Sequence, residues 1–152
     1  MIGLYHEERI IGSNPLSQDI ARHLYARVMC GKVAIVSDKP VAMLSALRKQ
    51  WVRIEQKVRH ERSSTLNPTR LLELSHEIAR IQTLKFTARP PIDEPRADVQ
   101  IATIERFLEW APQCRTLYVT CEITTEQLHL ITSWMPKGSL VVICKLATGL
   151  AN

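Results

Sequence analysis

The sequence predicts an α/β fold: an open, mainly parallel three-layer sheet, Rossmann-like but without a phosphate-binding loop, carrying an inserted basic helical hairpin. Three observations predict it. The continuous apolar run Val33–Val36 is typical of a strand covered on both faces. The order strand, helix, strand over residues 116–144 is typical of a parallel βαβ unit. Between these segments, two apolar seams at helical spacing predict a pair of long helices over about 41–86.

The size and composition of the chain fit one folded domain. Its 152 residues are 45% hydrophobic and 23% charged, which is ordinary for a globular protein and argues against disorder. A chain of this length can bury a core without disulfides or metal. We therefore expect residues 1–152 to form a single α/β domain, with the helical hairpin at about 41–86 as an elaboration.

The N-terminal part predicts a strand, a helix and a second strand. Residues 4–11 fit an edge strand, and Asn14 followed by Pro15 is typical of a helix start. Gly31 is expected to end that helix, whose buried side is marked by three residues (Ile20, Leu24 and Val28). Val33–Val36 then follows as a central parallel strand.

The hairpin has recognisable boundaries. Its first helix is expected to begin at 38–40 and to run to about Arg62, and Asn67 with Pro68 caps and opens the second helix. The two seams consist of Leu44, Leu47, Trp51, Ile54 and Val58 in the first helix and Leu71, Leu74, Ile78 and Ile81 in the second. These seams can face each other, dock on the sheet, or do both.

The C-terminal part begins with a proline-rich connector at 88–95. Residues 104–110 fit a helix, whereas 97–103 fit either a helix or a short strand. The βαβ unit follows, with strands at 116–121 and 139–144 and a helix at 124–135 that Thr124 or Thr125 caps. Residues 136–138 form the turn into the last strand.

Positive charge is concentrated in the hairpin. Residues 40–90 contain ten Lys and Arg but only four Glu, against a net charge of +5 for the whole chain. Lys49, Arg53 and Lys57 recur every four residues and therefore lie along one side of a helix. Local positive potential attracts nucleic acid, an anionic lipid surface or an acidic protein. The candidate binding residues are Arg48, Lys49, Arg53, Lys57, Arg59 and Arg62.

A second candidate site lies where the parallel strands end. Ligands of open parallel sheets bind beyond the carboxyl ends of the strands, where the chain places Asp38, Cys121 and Glu122. Asp38 and Glu122 could act as a carboxylate pair in acid–base chemistry or hold a cation, and Cys121 could act as a nucleophile. The alternative is structural: Asp38 caps the following helix, Glu122 is a solvated loop residue and Cys121 is a buried thiol.

The sequence lacks the motifs that mark several classes of protein. Ser37-Asp38-Lys39-Pro40 follows the strongest strand without a glycine, so a phosphate-binding loop is not indicated. No Gly-x-Ser-x-Gly elbow occurs, and the four cysteines and five histidines do not show metal-ligand spacing. We therefore expect no cofactor and no metal. Neither a signal peptide nor a membrane span is evident, so a cytoplasmic protein with reduced thiols is the simplest interpretation.

The layout of the first third resembles a known group of proteins. This layout is similar to that of small nucleotide-fold proteins that have lost their phosphate loop. It consists of a helix, the segment Gly31-Lys32-Val33-Ala34-Ile35-Val36, and a helix with a tryptophan. Those proteins serve as accessory subunits in DNA replication or repair. The resemblance implies an adaptor role and depends on layout alone, since no motif carries it.

These observations lead to three hypotheses. The first is a non-enzymatic accessory protein acting in a nucleic-acid context through the basic hairpin, with a partner surface on the sheet edge or the seams. The second is a small enzyme with its site at the carboxyl ends of the strands, where Asp38 and Glu122 must converge. The third is a homo-oligomeric scaffold in which the seams pair between chains.

Overall fold

The computed structural model describes residues 5–12, 16–27, 32–88, 97–110 and 114–146. The expected helix start at Asn14 and Pro15, its end at Gly31, and residues 89–95 of the expected connector lie outside the described residues, as do Val28 and Cys30.

The centre of the molecule is a six-stranded, all-parallel sheet in the order β1-β6-β5-β2-β4-β3. Its strands are β1 (Tyr5–Gly12), β2 (Val33–Val36), β3 (Phe86–Thr87), β4 (Val99–Ala102), β5 (Thr116–Val119) and β6 (Ser139–Leu146). The predicted edge strand and the predicted central strand are confirmed as β1 and β2. Residues 97–103, for which the sequence left two alternatives, contain strand β4.

In the part of the chain that the structure describes, five helices cover the two faces of the sheet. They are α1 (Leu16–Arg27), α2 (Pro40–Ser64), α3 (Pro68–Thr83), α4 (Ile104–Trp110) and α5 (Thr125–Trp134). One hydrophobic cluster joins α1, α2 and α3 to one face of the sheet, and a second joins α4 and α5 to the other. The molecule is therefore an open three-layer α/β structure, as predicted.

Alternation along the strands produces the two cores. In β2, Val33 and Ile35 belong to the cluster with α1 to α3, whereas Ala34 and Val36 belong to the cluster with α4 and α5. Successive side chains of a strand point to opposite faces, so a run that is apolar at every position requires cover on both sides. All four β2 residues are buried, which explains the uninterrupted apolar sequence.

Both hairpin seams are used within the chain. Leu47, Trp51 and Val58 of α2 share one core cluster with Leu74 and Ile78 of α3 and with the sheet, so the seams face each other and also dock on the sheet. The hairpin ends earlier than expected, at Thr83, because Phe86–Thr87 pairs with β4 as an edge strand. The third hypothesis, a scaffold in which these seams pair between chains, is therefore not supported, because the seams are buried within the chain.

Local signals explain the other boundaries. Asn67 accepts hydrogen bonds from the backbone N–H groups of Thr69 (2.9 Å) and Arg70 (3.3 Å), as expected of a helix cap. Thr124 caps α5 in a reciprocal arrangement with Gln127. At the turn into β6, Gly138 has a φ of 84°, a conformation that other residues rarely adopt. Strand β5 ends at Val119, two residues before the expected end.

Within the described ranges, no helix combines the length and the apolar character needed to cross a bilayer.

Candidate functional site

The outward side of α2 carries three exposed cations, Lys49, Arg53 and Lys57, which we call the cationic face. Lys49 and Arg53 point away from the buried residues Leu47, Trp51 and Val58, whereas Lys57 lies at the edge of a groove that Val58 also lines. Each four-residue step along a helix rises about 6 Å. This is close to the separation of consecutive phosphates along a nucleic-acid strand.

The acidic residues of the hairpin are engaged in ion pairs, including Glu61, which stands one helical turn after Lys57 and lines the same groove. The Glu61 carboxylate pairs with Arg70 through two hydrogen bonds of 2.8 and 3.1 Å. Arg70 also lies 3.5 Å from Glu73 and 3.8 Å from Glu77. The hydrogen bond from Arg70 holds the pKa of Glu61 below its usual value. Three of the four hairpin carboxylates therefore surround one arginine.

The fourth hairpin carboxylate, Glu55, belongs to a second ion pair. It accepts hydrogen bonds from the Arg59 guanidinium at 2.8 Å and from the Gln82 amide at 3.3 Å. Arg59 is therefore a predicted binding residue whose charge is largely offset by a neighbour. Among the described residues, no carboxylate lies within ion-pair distance of Lys49, Arg53 or Lys57.

Two further predicted binding residues, Arg48 and Arg62, do not belong to the cationic face. Arg48 is exposed and donates a long hydrogen bond of 3.5 Å to the backbone carbonyl of Phe86. Arg62 is half-buried near the end of α2. Of the six arginines and lysines selected from the sequence, Lys49, Arg53 and Lys57 form the continuous surface, Arg48 borders it and Arg59 is ion-paired.

The carboxyl ends of the strands form the second location. Helix α2 follows β2 on one face of the sheet, whereas α4 and α5 follow the neighbouring strands β4 and β5 on the other face. This reversal is the topological switch point at which open α/β sheets bind ligands. Asp38, after β2, and Cys121, after β5, interact there.

Asp38 does not cap α2, contrary to the structural alternative considered above. The N-cap residue is Lys39, whose side chain makes no capping hydrogen bond. The backbone N–H of Lys39 instead donates to the hydroxyl of Ser37 at 3.1 Å. Asp38 is consequently free to turn toward Cys121.

The surroundings of Cys121 keep its thiol protonated. Burial, the charge of Asp38 and its hydrogen bond to the thiol, and the charge of Glu105 raise the pKa of Cys121 to about 11. Cysteine nucleophiles are activated by the opposite conditions, namely positive charge and a lowered pKa. Glu105, in the first turn of α4, was not predicted from the sequence, whereas Glu122 was; both side chains are exposed.

The other described cysteines are structural. Burial raises the pKa of Cys114 to about 12, and burial together with the charge of Asp19 raises that of Cys144 to about 12. Within the five described ranges, no three His, Cys, Asp or Glu side chains are grouped so that they could hold a metal ion.

Comparisons with protein-family models, with curated proteins and with solved structures return no match for this chain. The functional argument therefore depends on the residues themselves.

Proposed function

We propose that this protein is a non-enzymatic accessory protein that binds nucleic acid through the cationic face of α2. One observation carries the proposal: the hairpin separates its ion pairs from three other cations. Its four carboxylates are engaged with Arg59 and Arg70, while Lys49, Arg53 and Lys57 lie exposed, with no carboxylate of the described residues within ion-pair distance of them.

This separation favours a polyanion over a surface that merely confers solubility. Solubility is served by interspersed charges of both signs, whereas a row of one sign creates a local field. When such a row neutralises phosphates, the counterions of the nucleic acid are released. The affinity therefore falls steeply as the salt concentration rises. An acidic protein would experience the same field, so direct measurement must separate the two partners.

An accessory role also requires a surface for a protein partner. Of the two surfaces considered from the sequence, the seams are buried in the chain's own core. The sheet edge remains, where β1 pairs with β6 through eight residues and lies at the end of the strand order.

The proposal is tested by fluorescence anisotropy with labelled oligonucleotides over a range of salt concentrations. Three phosphate contacts give a slope of about −2 in a plot of log K against log salt for a single strand. The double variant Lys49→Glu/Arg53→Glu is expected to abolish most of the binding.

The matched control reverses two exposed charges outside the hairpin, in the segments that precede β5 and β6, Arg115→Glu/Lys137→Glu, and changes the net charge equally. Its salt slope and its affinity are expected to stay close to those of the unmodified protein. Equal losses in both variants would show a non-specific effect of net charge, and no binding at low salt would refute the proposal.

The alternative function is a small enzyme acting at the carboxyl ends of β2 and β5. The observation in its favour is that Asp38 and Cys121 each lie two residues beyond the paired strand ends Val36 and Val119, where the charges of Asp38 and Glu105 raise the pKa of Cys121. In this form the second carboxylate is Glu105 in place of Glu122, and the protonated thiol gives Cys121 no role as a nucleophile at neutral pH.

A further inference from the structure

A groove of about 610 Å³ opens beside the cationic face, between α2, the end of α3 and strand β3. Five apolar side chains contribute to it: Trp51, Val52, Ile81, Leu84 and Phe86. Its volume lies within the range of roughly 300–1,000 Å³ that is usual for pockets that hold small ligands.

The walls of the groove are fixed by the fold. The Trp51 indole N–H donates to the backbone carbonyl of Ile81 at 2.9 Å, and its ring meets Phe86 edge to face with centroids 5.5 Å apart. The Arg48 guanidinium reaches the Phe86 carbonyl at 3.5 Å. These contacts join the three elements, so the cavity is preformed.

The polar groups of the groove favour an anionic ligand with hydrogen-bonding edges. Arg48 and Lys85 supply two positive charges, and the one carboxylate, Glu55, is engaged with Arg59 and Gln82. Gln82 uses an amide N–H in that contact, and its carbonyl oxygen accepts no hydrogen bond from the described part of the chain. An amide oxygen of this kind can accept from the edge of a base.

The groove borders the cationic face at Lys49, because Val52 on its rim lies three residues after Lys49 and residues three apart on a helix are surface neighbours. We propose that it holds one unstacked base of a single-stranded nucleic acid whose adjoining phosphates lie on Lys49 and Arg53. This inference rests on the proposed function and specifies its ligand. A duplex cannot fill the groove without first extruding a base, so the protein prefers single strands.

The test compares three probes: an oligothymidylate of about 12 nucleotides, a strand of the same length in which abasic sites replace the bases, and the duplex. One aromatic–base contact contributes about a factor of ten or more to affinity. We expect the unmodified protein to bind the oligothymidylate at least tenfold more tightly than the abasic strand or the duplex.

The variant that tests the groove is Val52→Trp. The larger side chain fills the rim of the groove from a position that is 53% exposed. Its control is Val41→Trp, the same change on the same helix at a position 73% exposed and outside the groove. Val52→Trp should remove the preference for bases and leave duplex binding intact, whereas Val41→Trp should change neither.

The outcomes separate the two proposals. If all three probes bind equally and Val52→Trp has no effect, the base pocket is refuted while the cationic face stands. If no probe binds at low salt, both proposals fail. If polyglutamate binds more tightly than oligothymidylate and loses affinity in Val52→Trp, the groove serves an acidic protein and the base pocket is likewise refuted.

Discussion

Trp51 stabilises the hairpin in two ways. Its ring is 8% exposed and meets both Tyr25 and Phe86 edge to face, which joins α1, α2 and β3. Its indole N–H bonds to Ile81 in the last turn of α3, where backbone carbonyls have no partner within the helix. The side chain therefore completes the end of a neighbouring helix while filling the core.

The variant Trp51→Phe should lower the free energy of unfolding by about 2 kcal/mol, because a buried carbonyl loses its donor and the core loses volume. Urea denaturation followed by circular dichroism measures this loss. Val52→Ala, one residue along α2 on the exposed side, should change stability by less than about 0.5 kcal/mol. Equal effects at the two positions would contradict the assignment of Trp51 to the core.

Cys121 permits a prediction about pH. The negative charge of Asp38 and its hydrogen bond to the thiol both raise the pKa of Cys121, so Asp38→Asn should lower it from about 11. Alkylation by iodoacetamide requires the thiolate, and in the variant the rate at Cys121 should rise at a lower pH. Peptide mapping by mass spectrometry separates this site from Cys114, whose rate should not change. An unchanged profile at Cys121 would show that Asp38 does not face the thiol.

At the scale of elements, the helical hairpin depends on the chemistry of its turn. Asn67 places one side-chain oxygen against two N–H groups that α3 itself cannot satisfy. Pro68 occupies the first helical position, where the missing N–H costs nothing. Beside this cap, Arg70 binds back to Glu61 on α2 and closes the hairpin.

Replacing Asn67 with Ala should destabilise the protein by about 1 kcal/mol, since substitution of a helix cap costs about 0.5–2 kcal/mol. Thermal unfolding measures the change. Leu66→Ala is the control, because Leu66 is the preceding residue in the turn and is 95% exposed. A loss at Leu66 as large as that at Asn67 would mean that the turn acts through packing and not through the cap.

The elements that were predicted correctly carry strong local signals. Two seams, with nine apolar residues in all, and the pair Asn67-Pro68 define the hairpin, and four consecutive apolar residues define β2. Strand β3 was missed because two residues show no periodicity and pair only through β4, which follows in the chain. The short β4 was ambiguous, since its apolar residues continue into the spacing of α4.

The details of the sites depend on distant contacts. The cationic face was predicted from its four-residue spacing. That its residues form no ion pairs within the described chain depends on how α2 and α3 cross, which brings Glu61 to Arg70 and Glu55 to Gln82. Glu105 joins Asp38 and Cys121 only because β4 and β5 both lie next to β2. Strand order is not encoded in any local pattern.

At the scale of the whole molecule, the strand order determines which backbone groups are best protected. Strand β2 lies between β4 and β5, and all of its residues are buried, whereas β1 and β3 each pair with one neighbour. Local opening requires less free energy at an edge than at the centre of a sheet.

Amide hydrogen exchange should therefore be slowest in β2 and β5 and faster in β1 and β3. Mass spectrometry of the exchanging protein at neutral pH measures this order. Protection of β1 equal to that of β2 would contradict it and would indicate that another chain covers the β1 edge.

The two helical layers differ in charge as well as in number. The layer formed by α4 and α5 exposes Glu105, Glu109 and Glu126 against Arg106, on the side of the sheet opposite the cationic face. A molecule with positive charge on one side and negative charge on the other orients in an external electric field. On a sulfonated chromatography resin or a negatively coated sensor chip it will dock through α2 and stand with α4 and α5 outward, so immobilisation by simple adsorption yields a uniformly oriented layer.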